Sequence, residues 1–420
     1  MSSLRIRGGT RLSGRVAVEG NKNAALPLMA ACLLTTDECV LENVPRIRDV
    51  EVLARLLTGL GASVDGLGTP TLRIRCSELN SDAPDAELVG KLRGSVLLLG
   101  PLLGRRGSAH LAQPGGDFPA RRTIGTHVEA LVKLGARVRQ EPGTVLEAPE
   151  GLKGASMYLG EASVTGTETA LLGAAVASGR TTIRHAAGEP HVGELCEFLT
   201  KMGALVSGAG GHTLVVEGGA RLRGAHHRLR GDYIEAGSWG VIAAVTGGEV
   251  EVTGARAEDM EPIATVIRGL GVPCTFDDDR FTTEGLREPP AIRRITTGLW
   301  PGFPSDMVSL VTVLATQARG RTLVHDWMYE LRLFALEQLS AMRADLFLCD
   351  PHRIIVTGPT SLRGRPLDSR DLRSGMALIA AALAAEGESE LAPLETVERG
   401  YASVVERLRS LGAQVEKNGS

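Results

Sequence analysis

A three-residue phrase recurs along this chain at intervals of roughly 70 residues, a period that signals stacked structural repeats. It reads Leu60-Gly61-Ala62, Leu134-Gly135-Ala136, Met202-Gly203-Ala204, Leu270-Gly271-Val272, Met342-Arg343-Ala344 and Leu411-Gly412-Ala413. Each copy follows an amphipathic stretch, such as Val50-Glu51-Val52-Leu53-Ala54-Arg55-Leu56-Leu57, and precedes a short alternating run, such as Ser63-Val64-Asp65. Helices commonly close on a left-handed residue, which glycine adopts without steric penalty. The phrase therefore reads as helix, glycine cap, strand. The fifth copy carries Arg343 in place of the glycine, and its helix is expected to end another way.

A second pattern runs out of phase with the first. Almost wholly apolar segments rich in Ala and Leu occupy residues 24–34, 96–103, 170–177, 240–245, 307–315 and 376–385. A helix that is apolar on every side is buried on every side. A strand-like run follows each, as in Glu38-Cys39-Val40-Leu41 and Arg180-Thr181-Thr182-Ile183. Six units, each of one buried helix, one surface helix and short strands, predict an α/β fold of two groups of three, parting near residues 225–235. A doubly wound sheet would instead need a G-x-G-x-x-G turn after an early strand, and none stands in that setting.

The bulk properties agree. A chain of 420 residues exceeds what one core usually serves. A net charge of -3 argues against nucleic-acid or membrane-surface binding through bulk charge. No stretch reaches the ~18 apolar residues of a membrane-spanning helix, and Met1-Ser2-Ser3-Leu4-Arg5-Ile6 has no signal-like apolar core. The six cysteines are scattered without a C-x-x-C pair, so they are expected to be reduced thiols in a cytoplasmic protein, with no metal site.

The informative polar residues open the buried helices: Lys22-Asn23, Arg93, Thr165-Gly166-Thr167, Glu235-Ala236-Gly237-Ser238, Asp306 and Asp371-Leu372-Arg373. Helix capping accounts for Asn23, Thr165 and Ser238. It does not account for Lys22, Arg93 and Arg373, because cations oppose the dipole at a helix N-terminus. These three imply a bound anion. A second polar set follows the strands: Asp117, Arg121, Arg122, His127, Glu189, Arg332 and Arg399. Three glycines and two prolines make residues 113–127 read as a long mobile loop, of the kind that serves as a lid.

Several motifs resemble those of the enolpyruvyl transferase family, in its cell-wall branch. They are Gly20-Asn21-Lys22-Asn23-Ala24-Ala25-Leu26-Pro27, Glu42-Asn43-Val44-Pro45, Pro114-Gly115-Gly116, Pro301-Gly302-Phe303-Pro304-Ser305-Asp306-Met307, Asp371-Leu372-Arg373 and Glu398-Arg399-Gly400-Tyr401. The resemblance spans essentially the whole chain. It implies a two-domain inside-out α/β barrel, with residues 21–230 carrying the lid and residues 1–20 plus 231–420 forming the second domain. It implies transfer of the enolpyruvyl group of phosphoenolpyruvate to the 3'-hydroxyl of UDP-N-acetylglucosamine, the first committed step of peptidoglycan synthesis, without cofactor or metal. By resemblance Lys22, Arg122 and Arg399 hold the phosphate, with Arg93, Arg332 and Arg373 in the same charged cleft. Asn23, Arg93, Arg122, Ser163, Val164, Asp306 and Met328 face the acceptor. Asp306 is the implied base. Asp117 occupies the lid position where most relatives carry cysteine, as proton donor or as a lid and product-release residue.

The acceptor side departs from the family pattern. Thr123 and Gly125 replace a Pro and an Asp, Glu161 replaces a lysine, and Tyr233 replaces an arginine. A reversed charge beside a diphosphate costs roughly 1–4 kcal/mol at near-surface separations of ~4 Å. An enolpyruvyl transferase acting on another nucleotide or sugar therefore stays open, as does a non-catalytic ligand-binding relative. The latter has no need to keep Lys22, Asp117, Asp306, Arg373 and Arg399 together. The shikimate-pathway branch has a Ser-rich opening motif, which is absent here because Asn23 follows Lys22.

One consequence is pharmacological. In relatives with the lid cysteine, fosfomycin alkylates the thiolate, and a carboxylate is a much poorer nucleophile. The protein is expected to resist time-dependent inactivation by fosfomycin, and Asp117→Cys is expected to become sensitive. Intact-mass spectrometry checks both, and a covalent adduct on the lid of the unsubstituted protein contradicts the first.

Overall fold

The computed structural model describes residues 2–115, 123–139, 143–287, 290, 292–330 and 332–419. The chain divides into two compact units, one of Gly20–Leu229 and the other of Met1–Glu19 with Arg230–Ser420.

In the first unit, the buried helices are Lys22–Ala31, Leu99–Arg106 (preceded by the tight turn Arg93–Leu98) and Val164–Val176. The strands that follow them are Cys39–Glu42, Ser108–Leu111 and Gly179–Arg184. Then come the surface helices Arg48–Gly59, Gly125–Lys133 and Pro190–Lys201, each feeding an antiparallel hairpin. Strands link neighbouring repeats. Ser156–Tyr158 pairs in parallel with Gly179–Arg184 of the next repeat, and His226–Arg228 returns to pair in parallel with Cys39–Glu42 of the first. The sheet of the second repeat has three strands, and there the Asp82 carbonyl accepts a hydrogen bond from the His110 amide.

The second unit repeats the plan with buried helices Tyr233–Val245, Val308–Gln317 and Leu372–Ala384, which pack on one another. Its parallel links are Ser13–Ala17 with Glu249–Thr253, Arg294–Thr296 with Gly320–His325, and Pro366–Asp368 with Glu388–Ala392. The sixth repeat is built from both ends of the chain. Ser3–Arg7 lies antiparallel between Glu388–Ala392 and Gln414–Asn418. Among the described residues the sheets stay separate, one to a repeat, rather than closing into a continuous barrel.

Glycine placement repeats with the fold. Where a hairpin strand passes over the end of a buried helix, a Cβ on Gly8, Gly218 or Gly358 would sit 2.0, 2.2 or 2.4 Å from the carbonyl oxygen of Ala385, Ala174 or Ala318. Only a residue without a side chain allows that approach.

Two expectations need correction. The fifth surface helix, Glu337–Ala341, ends as the other five do: Arg343 itself takes the left-handed conformation at φ +72°, against +94° to +109° for Gly61, Gly135, Gly203, Gly271 and Gly412. The closing bonds match as well, since Ala344 donates to the Leu339 carbonyl as Ala62 does to that of Leu57. Tertiary packing overrides the preference of arginine. The expected lid loop is also shorter at its far end. Gly125 already opens a helix, and His127 is buried rather than part of a mobile loop. Asp117, Arg121 and Arg122 lie outside the described residues.

A non-glycine residue in the left-handed region costs about 1–2 kcal/mol, partly offset by the extra unfolded-state freedom of glycine. Arg343→Gly is therefore expected to stabilise the protein by about 0.5–1 kcal/mol, read from chemical denaturation. A lower unfolding midpoint contradicts this assignment.

Candidate active site

In the second unit three expected residues, Asp306, Arg332 and Arg373, meet in one arrangement. Asp306 lies in the tight turn Ser305–Met307 that leads into Val308–Gln317. Its Oδ1 is 3.1 Å from Arg332 Nη1, and its Oδ2 is 2.7 Å from Arg373 Nη2. Arg373 is placed by the first turn of its helix, whose N-cap Asp371 accepts from the amides of Arg373 and Ser374. Arg373 also donates to the hydroxyl of the fully buried Tyr401 at 3.3 Å, and that hydroxyl lies 2.8 Å from Ser238 Oγ. Arg332 stands 4.2 Å above the Tyr329 ring, a cation–π contact. Arg399 closes the short helix Glu395–Glu398, two residues before Tyr401.

Burial disfavours the charge of Arg373, but Asp306 and the neighbouring Tyr401 and Asp232 outweigh it and raise the pKa above the ordinary guanidinium value. Arg332 behaves alike: burial opposes its charge, and Asp306, Tyr329, Asp326 and Asp371 prevail. Of these carboxylates Asp306 is the one that bonds both guanidiniums directly. Such a place suits an anion and a proton-accepting carboxylate side by side.

In the first unit, Lys22 Nζ lies 2.7 Å from Asp49, a buried carboxylate at the start of the adjoining surface helix. Arg93 donates to the Thr123 carbonyl at 2.6 Å. Asn23 lies in the first turn of its helix, donating its amide to Asn21. Ser163 is the N-cap of the third buried helix, accepting from the Gly166 amide at 3.2 Å, and Val164 is that helix's first residue. Glu161 accepts from Thr126 at 3.2 Å. Glu189 neighbours the fully buried Glu168; burial first, then that second carboxylate, pushes the acid of Glu168 well above its usual range.

The capping expectation was displaced. The side chains that cap are Asn21, Ser163, Asp232 and Asp371, rather than Asn23, Thr165 and Ser238. Thr165 instead meets His127 Nε2 at 2.8 Å, and Ser238 meets Tyr401. Tyr233 is buried edge-on against Trp300, so here its ring belongs to a core. Sequence reasoning missed Asp49 and Asp326. No periodic or charge signal marks them, because their partners are distant along the chain.

Similarity to known proteins spans the chain. Residues 6–408 match the family of EPSP synthase (3-phosphoshikimate 1-carboxyvinyltransferase). The UDP-N-acetylglucosamine 1-carboxyvinyltransferase of Treponema denticola is 40% identical, covering 98% of both chains. That of Bradyrhizobium diazoefficiens is 41% identical, covering 98% of this chain and 97% of its own. Among solved structures, the enolpyruvyl transferase NikO from Streptomyces tendae superposes with a TM-score of 0.90 at 26% identity, over 100% and 99% of the chains. EPSP synthase from Acinetobacter baumannii shares the fold, with a TM-score of 0.75 at 18% identity over both full chains.

One titrating group in the second unit sets a pH dependence. Glu235, in the first turn of Tyr233–Val245, pairs with Arg407, which also lies 3.6 Å from Glu19. Burial pushes the Glu235 acid up to about 7, against the pull of Arg407. A carboxyl that keeps its proton only when folded adds stability below its unfolded pKa, and that stability is lost as pH rises through the folded value. Unfolding free energy is expected to fall by about 2–3 kcal/mol between pH 4.5 and 7 on account of this group. Glu235→Gln should flatten that part of the profile. An unchanged profile in the variant contradicts the assignment.

Proposed function

The chain belongs to the EPSP synthase (3-phosphoshikimate 1-carboxyvinyltransferase) family, and from that premise we propose that it transfers the enolpyruvyl group of phosphoenolpyruvate to the 3'-hydroxyl of UDP-N-acetylglucosamine. Phosphate is released, and the product enters peptidoglycan synthesis in the cytoplasm. Identity of 40–41% to relatives named for that acceptor, against 26% to NikO, favours the nucleotide sugar.

The observation that carries the mechanism is the Asp306 carboxylate held between Arg332 and Arg373. Phosphoenolpyruvate is a multiply charged anion, so cations must neutralise it before an alcohol can approach. Lys22, Arg122 and Arg399 take the phosphate, supported by Arg93, Arg332 and Arg373. Protonation of C3 makes C2 oxocarbenium-like, and the acceptor oxygen attacks C2 as its proton passes to Asp306. Asp117 is the candidate donor to C3. Loss of a C3 proton then reforms the double bond as the C2–O bond to phosphate breaks. The acceptor lies against Asn23, Ser163, Val164 and Met328. Each charge-assisted hydrogen bond to phosphate contributes about 1.5–3 kcal/mol.

Asp306→Asn tests this. The amide keeps the shape but accepts no proton as a carboxylate does, so turnover is expected to fall about 10²–10⁴-fold. Calorimetry should show phosphoenolpyruvate binding retained. Turnover within tenfold of the unsubstituted protein contradicts the base assignment.

A further inference from the structure

The Asp306 site has a buried support that the chemistry above does not use. Asp326 is fully buried and ends the strand segment Gly320–His325. Its Oδ1 accepts from Thr297 Oγ1 at 2.9 Å and from the Met328 amide at 3.2 Å. Its Oδ2 accepts from Ser305 Oγ at 2.7 Å. The main chain is fixed as well: the Asp326 amide donates to the His352 carbonyl, and His352 Nδ1 donates back to the Asp326 carbonyl, both at 2.8 Å.

A buried carboxylate is costly unless it is fully hydrogen-bonded and balanced by charge. Here the balance arrives through one hydroxyl. Ser305 spends its hydrogen on Asp326, so its lone pairs turn to Arg332, whose Nη1 donates to it at 2.7 Å. That same Nη1 reaches Asp306 Oδ1 at 3.1 Å. The direction of the Ser305 hydroxyl, and with it the place of Arg332, is set by Asp326. The other oxygen of Asp326 holds the Met328 backbone.

We propose that Asp326 is a positioning residue for the transfer reaction: through Ser305 it orients Arg332 against the Asp306 base, and through the Met328 amide it ties that base to an acceptor-side segment. The inference rests on the reading of Asp306 as base. It asks of Asp326 no contact with substrate.

Four variants separate the possibilities. Asp326→Asn keeps size and removes the charge; Ser305→Ala removes the relay; Ser305→Thr keeps the hydroxyl; Asp306→Asn tests the underlying reading. Small displacements of reacting groups cost up to about a hundredfold in rate. Asp326→Asn and Ser305→Ala are each expected to lower kcat by roughly tenfold to a hundredfold, with KM for phosphoenolpyruvate little changed. Ser305→Thr should restore most of the rate. The double variant should be little worse than the poorer single one, because both break one relay. Should Asp326→Asn fail to fold, the Ser305 pair decides alone. Near-normal kcat in Ser305→Ala with only a lower unfolding midpoint overturns the inference while leaving the base reading intact. Near-normal turnover in Asp306→Asn removes both.

Discussion

A helix without a polar face is stable only where protein surrounds it on every side. All three such helices in each unit meet that demand in the same way, by packing within a ring of sheets and surface helices contributed by neighbouring repeats. A single repeat could not cover its own buried helix, so the repeats come in closed sets. The parallel strand pairs that hand each repeat to the next, and His226–Arg228 returning to Cys39–Glu42, express that closure. So do Gly8, Gly218 and Gly358, where strand backbone must touch the buried helix end.

Burying helices along their length concentrates chemistry at their openings. The ends are where backbone amides lack partners and where polar side chains can reach them. Asn21, Ser163, Asp232 and Asp371 serve that need. Once caps are supplied, the cations placed one or two residues later are not required for helix stability. Arg373 is almost wholly buried at such an opening and is held by Asp306 and Tyr401. Its charge is kept there against its own desolvation by the pairing with Asp306.

The six-fold repeat, the buried helices and the cationic openings were legible because each depends on local periodicity or on a residue that breaks a local rule. Arg343 was misread for the same reason: the local rule says glycine, while the packing of its repeat imposes the left-handed turn regardless. The chain's first strand completing the sixth repeat left no mark in the local periodicity, and only the family resemblance put residues 1–20 with the second domain, since strands about four hundred residues apart pair by backbone. Asp49 and Asp326 were invisible because a buried carboxylate is defined by its partners, and those partners come from separate segments.

The most direct test is product analysis with purified protein, phosphoenolpyruvate and UDP-N-acetylglucosamine. Phosphate release is expected only when the acceptor is present, with one enolpyruvyl group gained per phosphate released, located on the 3'-oxygen by mass spectrometry and NMR. Phosphate release with another acceptor but none with UDP-N-acetylglucosamine, or no transfer at all, would contradict it.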